Sequence, residues 1–232
     1  MRSAELQYIN EEFYADTVPP EQMDVLLESG WRYFGTHFFR YNLGFYRDDI
    51  RQVLPLRIRL SEFTPSKNQR RVLRTNDDLT VTVAPVNITE ADHELFERHK
   101  QRFDHGVPET IYNFLSGDPA NSPCGANEIR VTRGDELLAV SYLGIGQQTT
   151  SGIYAMFEPA MSTRSLGIFT LLKEIEYSIE QGGEFYYLGY CYEGESFYDY
   201  KKRFRGTEFF DWNGNWNSFT GSAAWSHHSV QE

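Results

Sequence analysis

The chain has 232 residues, 40% hydrophobic and 16% aromatic, with 22 Lys and Arg against 33 Asp and Glu for a net charge of −11. That aromatic mass suits a packed core and excludes a disordered, collagen-like or coiled-coil chain, while the acidity argues against a general nucleic-acid coat. Two cysteines, Cys124 and Cys191, cannot by themselves form a disulfide framework or a four-sulfur zinc site, and no apolar run approaches membrane length; the expectation is a cytoplasmic protein.

Val18-Pro19-Pro20 ahead of Glu21 signals a helix over 21–29 that stops at Gly30. Residues 31–40 read as an aromatic strand with Gly35 as a bulge, and 53–60 as a half-buried strand displaying Arg57 and Arg59 on its open face. Ser66 caps a short helix over 67–74, 79–86 alternates as a strand, and Thr89 opens a helix to about 102. Strands at 127–131 and 136–144 flank the turn Arg133-Gly134-Asp135, with another strand at 151–157. In 164–181 the residues Leu166, Phe169, Leu172, Ile175 and Ile179 form one apolar helical stripe, ended by Gly182-Gly183. A strand over 184–190 and a short helix over 198–205 follow; the Asn-, Ser-, Gly- and His-rich end reads as a frayed tail. The histidines, His93, His99 and His105 included, have no metal-ligand spacing and are expected at the surface.

Charge is unevenly placed. Between 51 and 74 stand Arg51, Arg57, Arg59, Lys67, Arg70, Arg71 and Arg74 against the single acid Glu62, and a second knot is Lys201-Lys202-Arg203-Phe204-Arg205. Two such clusters in an acidic chain suit one anionic partner held at one place; solvated helix faces are the plainer alternative. The element order implies an α+β fold, a mixed, mostly antiparallel sheet flanked by helices as in GNAT-type acetyltransferases, preceded by a small N-terminal α/β subdomain. The expected divisions are 1–85, 86–212 for the catalytic domain, and a flexible tail at 213–232. Arg164-Ser165-Leu166-Gly167 supplies half of that fold's phosphate cradle, but Phe169 fills the place of its second small residue.

Four blocks resemble the aminoacyl-tRNA–protein transferases, the arginyltransferases and bacterial aspartate/glutamate leucyltransferases that tag protein N-termini for degradation. They are Phe63–Leu79, Tyr154-Ala155-Met156-Phe157-Glu158-Pro159, Arg164–Gly167 with Leu172 and Glu174-Ile175-Glu176, and Tyr186-Tyr187-Leu188-Gly189-Tyr190 with Tyr200-Lys201 and Phe204. The resemblance implies the acetyltransferase fold, aminoacyl-tRNA as donor and a protein or peptide N-terminus as acceptor. Such a family usually carries a cysteine cluster before the basic block. Residues 41–51 contain none here, and Glu195 stands where a further cysteine is common, so neither metal nor other cofactor is expected.

On this resemblance the catalytic candidates are Glu158 as base, preferred over Glu174 and Glu176, with Tyr187 and Tyr200. Arg164, Ser165, Gly167, Gly189, Tyr190, Arg70 and Arg71 are candidates for substrate binding. Arg57, Arg59, Lys67, Arg74, Lys201, Lys202, Arg203 and Arg205 are candidates for tRNA binding. Gly189 favours the Tyr187 face of its strand as the side approached by substrate. An aminoacyl ester is already activated, so the enzyme needs positioning, a proton acceptor and oxyanion stabilisation rather than a covalent nucleophile. Two other classes stay open: an acyl-CoA N-acyltransferase, and a non-catalytic binding module that kept the fold.

Overall fold

The computed structural model describes residues 7–104 and 106–219. Its centre is a nine-stranded sheet in the order β12(Trp216–Ser218), β11(Thr207–Phe210), β5(Asp49–Arg59), β10(Phe185–Tyr192), β9(Thr149–Phe157), β8(Glu136–Ile145), β7(Ala126–Arg133), β6(Thr80–Pro85), with β4(Leu43–Tyr46) also paired to β5. Every neighbouring pair is antiparallel except β9 and β10. A second, three-stranded sheet joins β1(Asn10–Tyr14), β3(His37–Tyr41) and β2(Arg32–Phe34). Strands from both sides of residue 85 thus share the central sheet.

Helix α4(Leu166–Glu180) covers one face: its Leu172 and Ile175 pack with Leu56, Ile58, Tyr186 and Leu188, and its Leu166 and Phe169 with Leu138 and Val131. The sequence stripe runs one turn too far, because Ile179 is exposed and Glu174 and Ser178 face the sheet instead. Helix α2(Lys67–Thr75) lies against α4 through Val72 and Leu73, and a Ser66–Gln69 capping box fixes its start. The opposite face is covered by α1(Pro20–Glu28), α3(Glu90–Lys100) and the small sheet, whose Met23, Leu27, Phe96, Tyr33 and Phe38 pack with Tyr187, Ile153 and Met156.

Four expectations are corrected. The strand at 31–40 is a hairpin, because Gly35 takes φ +51° and turns the chain between β2 and β3. Residues 216–218 are strand β12 rather than tail, with Trp216 donating to the Glu28 carbonyl at 2.9 Å; residues 220–232 lie outside those described. Arg57 is not displayed outward: β5 is covered on both faces, and Arg57 is only 5% exposed. His99 is buried, bonded to the backbone of Phe157 at 3.1 Å and pushed down to about 4 by that burial; His105 lies outside the described residues.

Candidate active site

The one parallel pairing in the large sheet is short. β9 and β10 are in register only at Phe185–Thr149, Tyr186–Thr150 and Tyr187–Ser151, after which each strand continues against its other neighbour alone. Both carry an irregularity at the point of parting: the β8–β9 register shifts beside Ile153, and the β5–β10 register shifts beside Leu188. Parted strands leave main-chain carbonyls without ladder partners, and such groups need donors from elsewhere.

Here the donors are cationic side chains. Arg32 donates to the Gly152 carbonyl at 3.2 Å and to that of Ile153 at 3.0 Å. Lys201, on the 3-10 segment Phe197–Arg203, donates to the Tyr190 carbonyl at 3.2 Å, and Lys202 donates to those of Tyr192 and Gly194 at 2.8 and 2.7 Å. Gly189 takes φ +79°, and a Cβ there would strike the Arg32 guanidinium, so this position must be glycine for Arg32 to enter the parting.

Tyrosines and a carboxyl surround this gap. Tyr190 donates to the carbonyl of Gly30 at 2.7 Å, and its ring meets Tyr41 edge-on at 5.3 Å. Behind Gly152, where no side chain intervenes, the Tyr186 hydroxyl donates to Glu174. Burial pushes the Glu174 carboxyl up to about 7 against the opposing pull of its hydrogen bonds and of Arg32. Burial, reinforced by the Arg32 charge, pulls the Lys201 amine down to about 7. The Tyr200 phenol is raised by burial while keeping a third of its surface open. The gap therefore combines a guanidinium and an amine held by carbonyls, a phenol at the rim and a carboxyl that, like the amine, is shifted toward neutrality.

The two basic stretches adjoin on the α4 side. Phe204 stacks on Phe63 at 6.4 Å, and the Arg59 amide donates to the Gly206 carbonyl at 2.9 Å. This places exposed Arg203 and Arg205 beside the segment leading into α2, where Lys67, Arg70, Arg71 and Arg74 are exposed. At the far end of α2, the Asn76 side chain donates to the Arg164 carbonyl at 2.9 Å, and Arg164 clasps Asp78 at 2.7 and 2.9 Å.

Both halves of one family match the chain. The model described as arginine-tRNA-protein transferase, N terminus, matches residues 2–71, and that for the C terminus of the same enzyme matches 91–211. The chain belongs to this aminoacyltransferase family. It is 32% identical over 178 residues to an aspartate/glutamate leucyltransferase of Xanthomonas campestris pv. campestris, covering 71% of this chain and 69% of that one. A Pseudomonas fluorescens protein of the same name is 31% identical over 199 residues, covering 82% of each. The crystal structure of FemX superposes with a TM-score of 0.50 at 12% identity, over 82% of this chain and 65% of FemX, just under two thirds of the latter. The fold is that of the GNAT-like acyltransferases, as the element order implied.

Of the residues singled out from sequence, the structure brings Gly189, Tyr190, Tyr200 and Lys201 to the gap. It separates others. Arg57 is sealed, pairing with Glu208 at 2.7 Å between the rings of Phe185 and Trp216, and so is not free for tRNA, while the half-buried Arg59 pairs with the same Glu208 at 3.0 Å. Lys201 and Lys202 are bound to main chain rather than spread along an outer track. Glu158 caps the 3-10 turn Pro159–Arg164 and pairs with Arg98 at 2.7 Å, which commits both its oxygens to structure. Tyr187 lies on the α1 side, its hydroxyl accepting from Arg57 at 3.5 Å and pushed up to about 12 by burial; Arg164 lies on the α4 side, so the two do not meet in one groove. Gly167 has the Phe157 ring over it, Ser165 is the left-handed N-cap of α4 at φ +53°, and Phe169 is core, leaving the cradle half closed.

Arg32, Glu174 and Tyr186 are the site residues that sequence reasoning missed or set aside. Residues 41–51 form the hairpin closing β4 on β5, with Arg51 over the Tyr46 ring at 4.9 Å and donating to the Glu195 carbonyl at 2.5 Å. Rings and guanidinium there do not suit a metal. Among the described residues no group of three or more His, Cys, Asp or Glu side chains could hold one, and no helix is long and apolar enough to cross a membrane.

Proposed function

We propose that the protein transfers an amino acid, leucyl or arginyl, from aminoacyl-tRNA to the N-terminal amine of a protein or peptide, with the reacting ends meeting in the gap between β9 and β10 and no cofactor taking part. The carrying observation is that the gap is composite: Arg32 comes from the segment matching the family's N-terminal model and Lys201 from the segment matching its C-terminal model.

The tRNA backbone lies along α2 and the adjoining exposed Arg203 and Arg205, where Lys67, Arg70, Arg71 and Arg74 offer charge to phosphates. The acceptor amine, with a reference pKa near 8, enters a region where Arg32 and Lys201 disfavour the ammonium form and so raise the fraction of free base. Its lone pair attacks the ester carbonyl; the C–N bond forms, the bond to the ribose oxygen breaks, and the amine proton passes to the departing ribose hydroxyl or to solvent. The Arg32 guanidinium, the Lys201 amine in its protonated form and the Tyr200 phenol at the rim stabilise the negative charge that develops on the carbonyl oxygen. A cytoplasmic location, where charged tRNA and protein N-termini coexist, agrees with this reading.

The test is incubation with bulk charged tRNA, each labelled amino acid in turn, and peptides beginning with Asp, Glu, Arg or Lys. Labelled peptide product is expected with leucine or arginine; its absence with every combination would overturn the proposal.

A further inference from the structure

Strand β5 connects two surfaces of opposite sign. Its Arg59 end leads into α2, where Lys67, Arg70, Arg71 and Arg74 are exposed. Its Asp49 end is the tip of the hairpin with β4, and there the Glu193 amide donates to the Gln52 carbonyl at 2.8 Å, bringing in the loop from β10 to the 3-10 segment Phe197–Arg203. On this tip and loop Asp48, Asp49, Glu193 and Glu195 are exposed, while Arg47 is the one exposed cation of residues 45–51 and 192–200. Arg51 is occupied by the Tyr46 ring and the Glu195 carbonyl.

Rings line this acidic end. Tyr46 meets Tyr192 at 4.9 Å, Tyr192 meets Tyr198 at 6.1 Å, and Tyr198 meets Phe197 edge-on at 5.7 Å. The row is fixed in place, because the Phe197 amide donates to the Tyr46 hydroxyl at 2.9 Å and the Tyr192 hydroxyl donates to the Phe45 carbonyl at 3.0 Å. It is nevertheless open: Phe197 is 71% exposed and Tyr198 38%. A single exposed ring is ordinary, but a row of held and uncovered rings marks a contact surface. The row is continuous with the gap, since the Lys201 amine that bonds the Tyr190 carbonyl also lies 5.3 Å over the Tyr198 ring.

We propose that this row of rings is a shelf for the acceptor chain beyond its first residue, and that it favours acceptors carrying basic and aromatic side chains there. This rests on the transferase reading above. A chain whose amine reacts in the gap must leave it again, and at roughly 3.3 Å per extended residue its second to fifth residues span Tyr198 and Phe197. Exposed rings take aromatic side chains edge-on and lysine or arginine over their faces. The surrounding carboxylates attract the same cations and repel phosphate, so the sign of this end selects a basic polypeptide over nucleic acid, which has its own cations on α2. Donor and acceptor thus approach the gap over surfaces of opposite charge.

The experiment compares full-length wild type, F197S and E193K/E195K with two peptides that both begin with Asp, one continuing Lys-Phe-Lys-Phe and the other Glu-Ser-Glu-Ser. The substitutions change exposed side chains and leave the main-chain bonds of Glu193 to Gln52 and of Glu195 to Arg51 in place. Transfer is read as kcat/KM, peptide affinity by fluorescence anisotropy, tRNA affinity by filter binding and mass by sedimentation. Wild type should prefer the basic and aromatic peptide about tenfold, through KM rather than kcat, the size of two exposed cation–π contacts. Each variant should cut that preference to within about threefold, the remainder of one such contact, and F197S should bind tRNA as wild type does. A wild type indifferent to the two peptides, or variants that keep its full preference, overturns the inference. So does weakened tRNA binding by F197S, which would give the shelf to the donor, or a wild-type dimer that F197S turns into a monomer, which would give it to a second copy. Should wild type transfer to neither peptide, the transferase reading fails, while anisotropy still decides the shelf: equal affinity for both peptides would sink it.

Discussion

Two arginines meet the middle of β10, and their surroundings differ in kind. Arg57, level with Tyr187 on the neighbouring strand, is neutralised by Glu208, roofed by Phe185 and Trp216, and closed to solvent. Arg32, against Gly189, enters where the ladder has opened, bonds only carbonyls and stays in reach of water. The first is a structural cation whose charge is spent inside the molecule. The second keeps its charge available, and that contrast separates scaffold from site more sharply than residue type or position in the sequence.

The largest expected effect falls on the structural side. E208A leaves Arg57 and Arg59 facing each other without their shared carboxylate, and breaking a buried pair from one side costs about 3–5 kcal/mol. Denaturant unfolding checks this; a loss below 1 kcal/mol would mean that the Arg57 surroundings are as open as those of Arg32. Glu174 comes next. Its folded pKa of about 7 lies above the unfolded reference of 4.5, so its stabilising contribution is complete below the unfolded value and is lost as pH rises through the folded one. Between pH 5 and 8 the wild type should lose about 3 kcal/mol relative to E174Q, whose amide oxygen still accepts from Tyr186. Parallel stability–pH curves for the two proteins would place the Glu174 carboxyl in a water-like environment and remove it from the gap.

Charge reversal on α2 has a smaller predicted consequence. R70E/R71E should weaken tRNA binding at least tenfold and flatten its dependence on salt, as filter binding across a salt series would show. Unchanged affinity and slope would make α2 a solvated face. Smallest is the stability effect of R32Q, about 1 kcal/mol by the same unfolding assay, because an amide can still donate to one of the freed carbonyls. A loss as large as that of E208A would erase the distinction between the two arginines.

Much of the fold was legible in sequence. The capped start of α2, the Gly134 turn between β7 and β8, the apolar stripe of α4 and the aromatic run of β10 each declare themselves locally. Strands β1, β11 and β12 did not: β1 and β11 are placed by the distant β3 and β5, β12 is a short strand paired only to β11, and their residues are polar or scattered aromatics. Of the site, Gly189, Tyr190, Tyr200 and Lys201 were found because they sit in one dense motif. Arg32 was invisible because it lies more than a hundred residues from the carbonyls it binds, on a strand that reads as plain aromatic core. Glu158 was preferred over Glu174 on its place at a strand end. Sequence could not show that Glu158 would find Arg98, or that Gly152 would open a space in which Glu174 meets Tyr186. The pattern Gly152 on β9 and Gly189 on β10, one glycine at the parting of each parallel strand, was the available signal.

Whether the acceptor enters the gap between β9 and β10 is decided by photocrosslinking. A benzophenone amino acid in place of Tyr200, at the rim of the gap, is compared with one in place of Tyr112, which is also exposed but lies by α3, where its ring faces His93. A labelled peptide beginning with Asp should be captured from position 200, be displaced by excess unlabelled Asp peptide and not be captured from position 112. Capture from position 112 alone, or equal capture from both that excess peptide does not reduce, would contradict it.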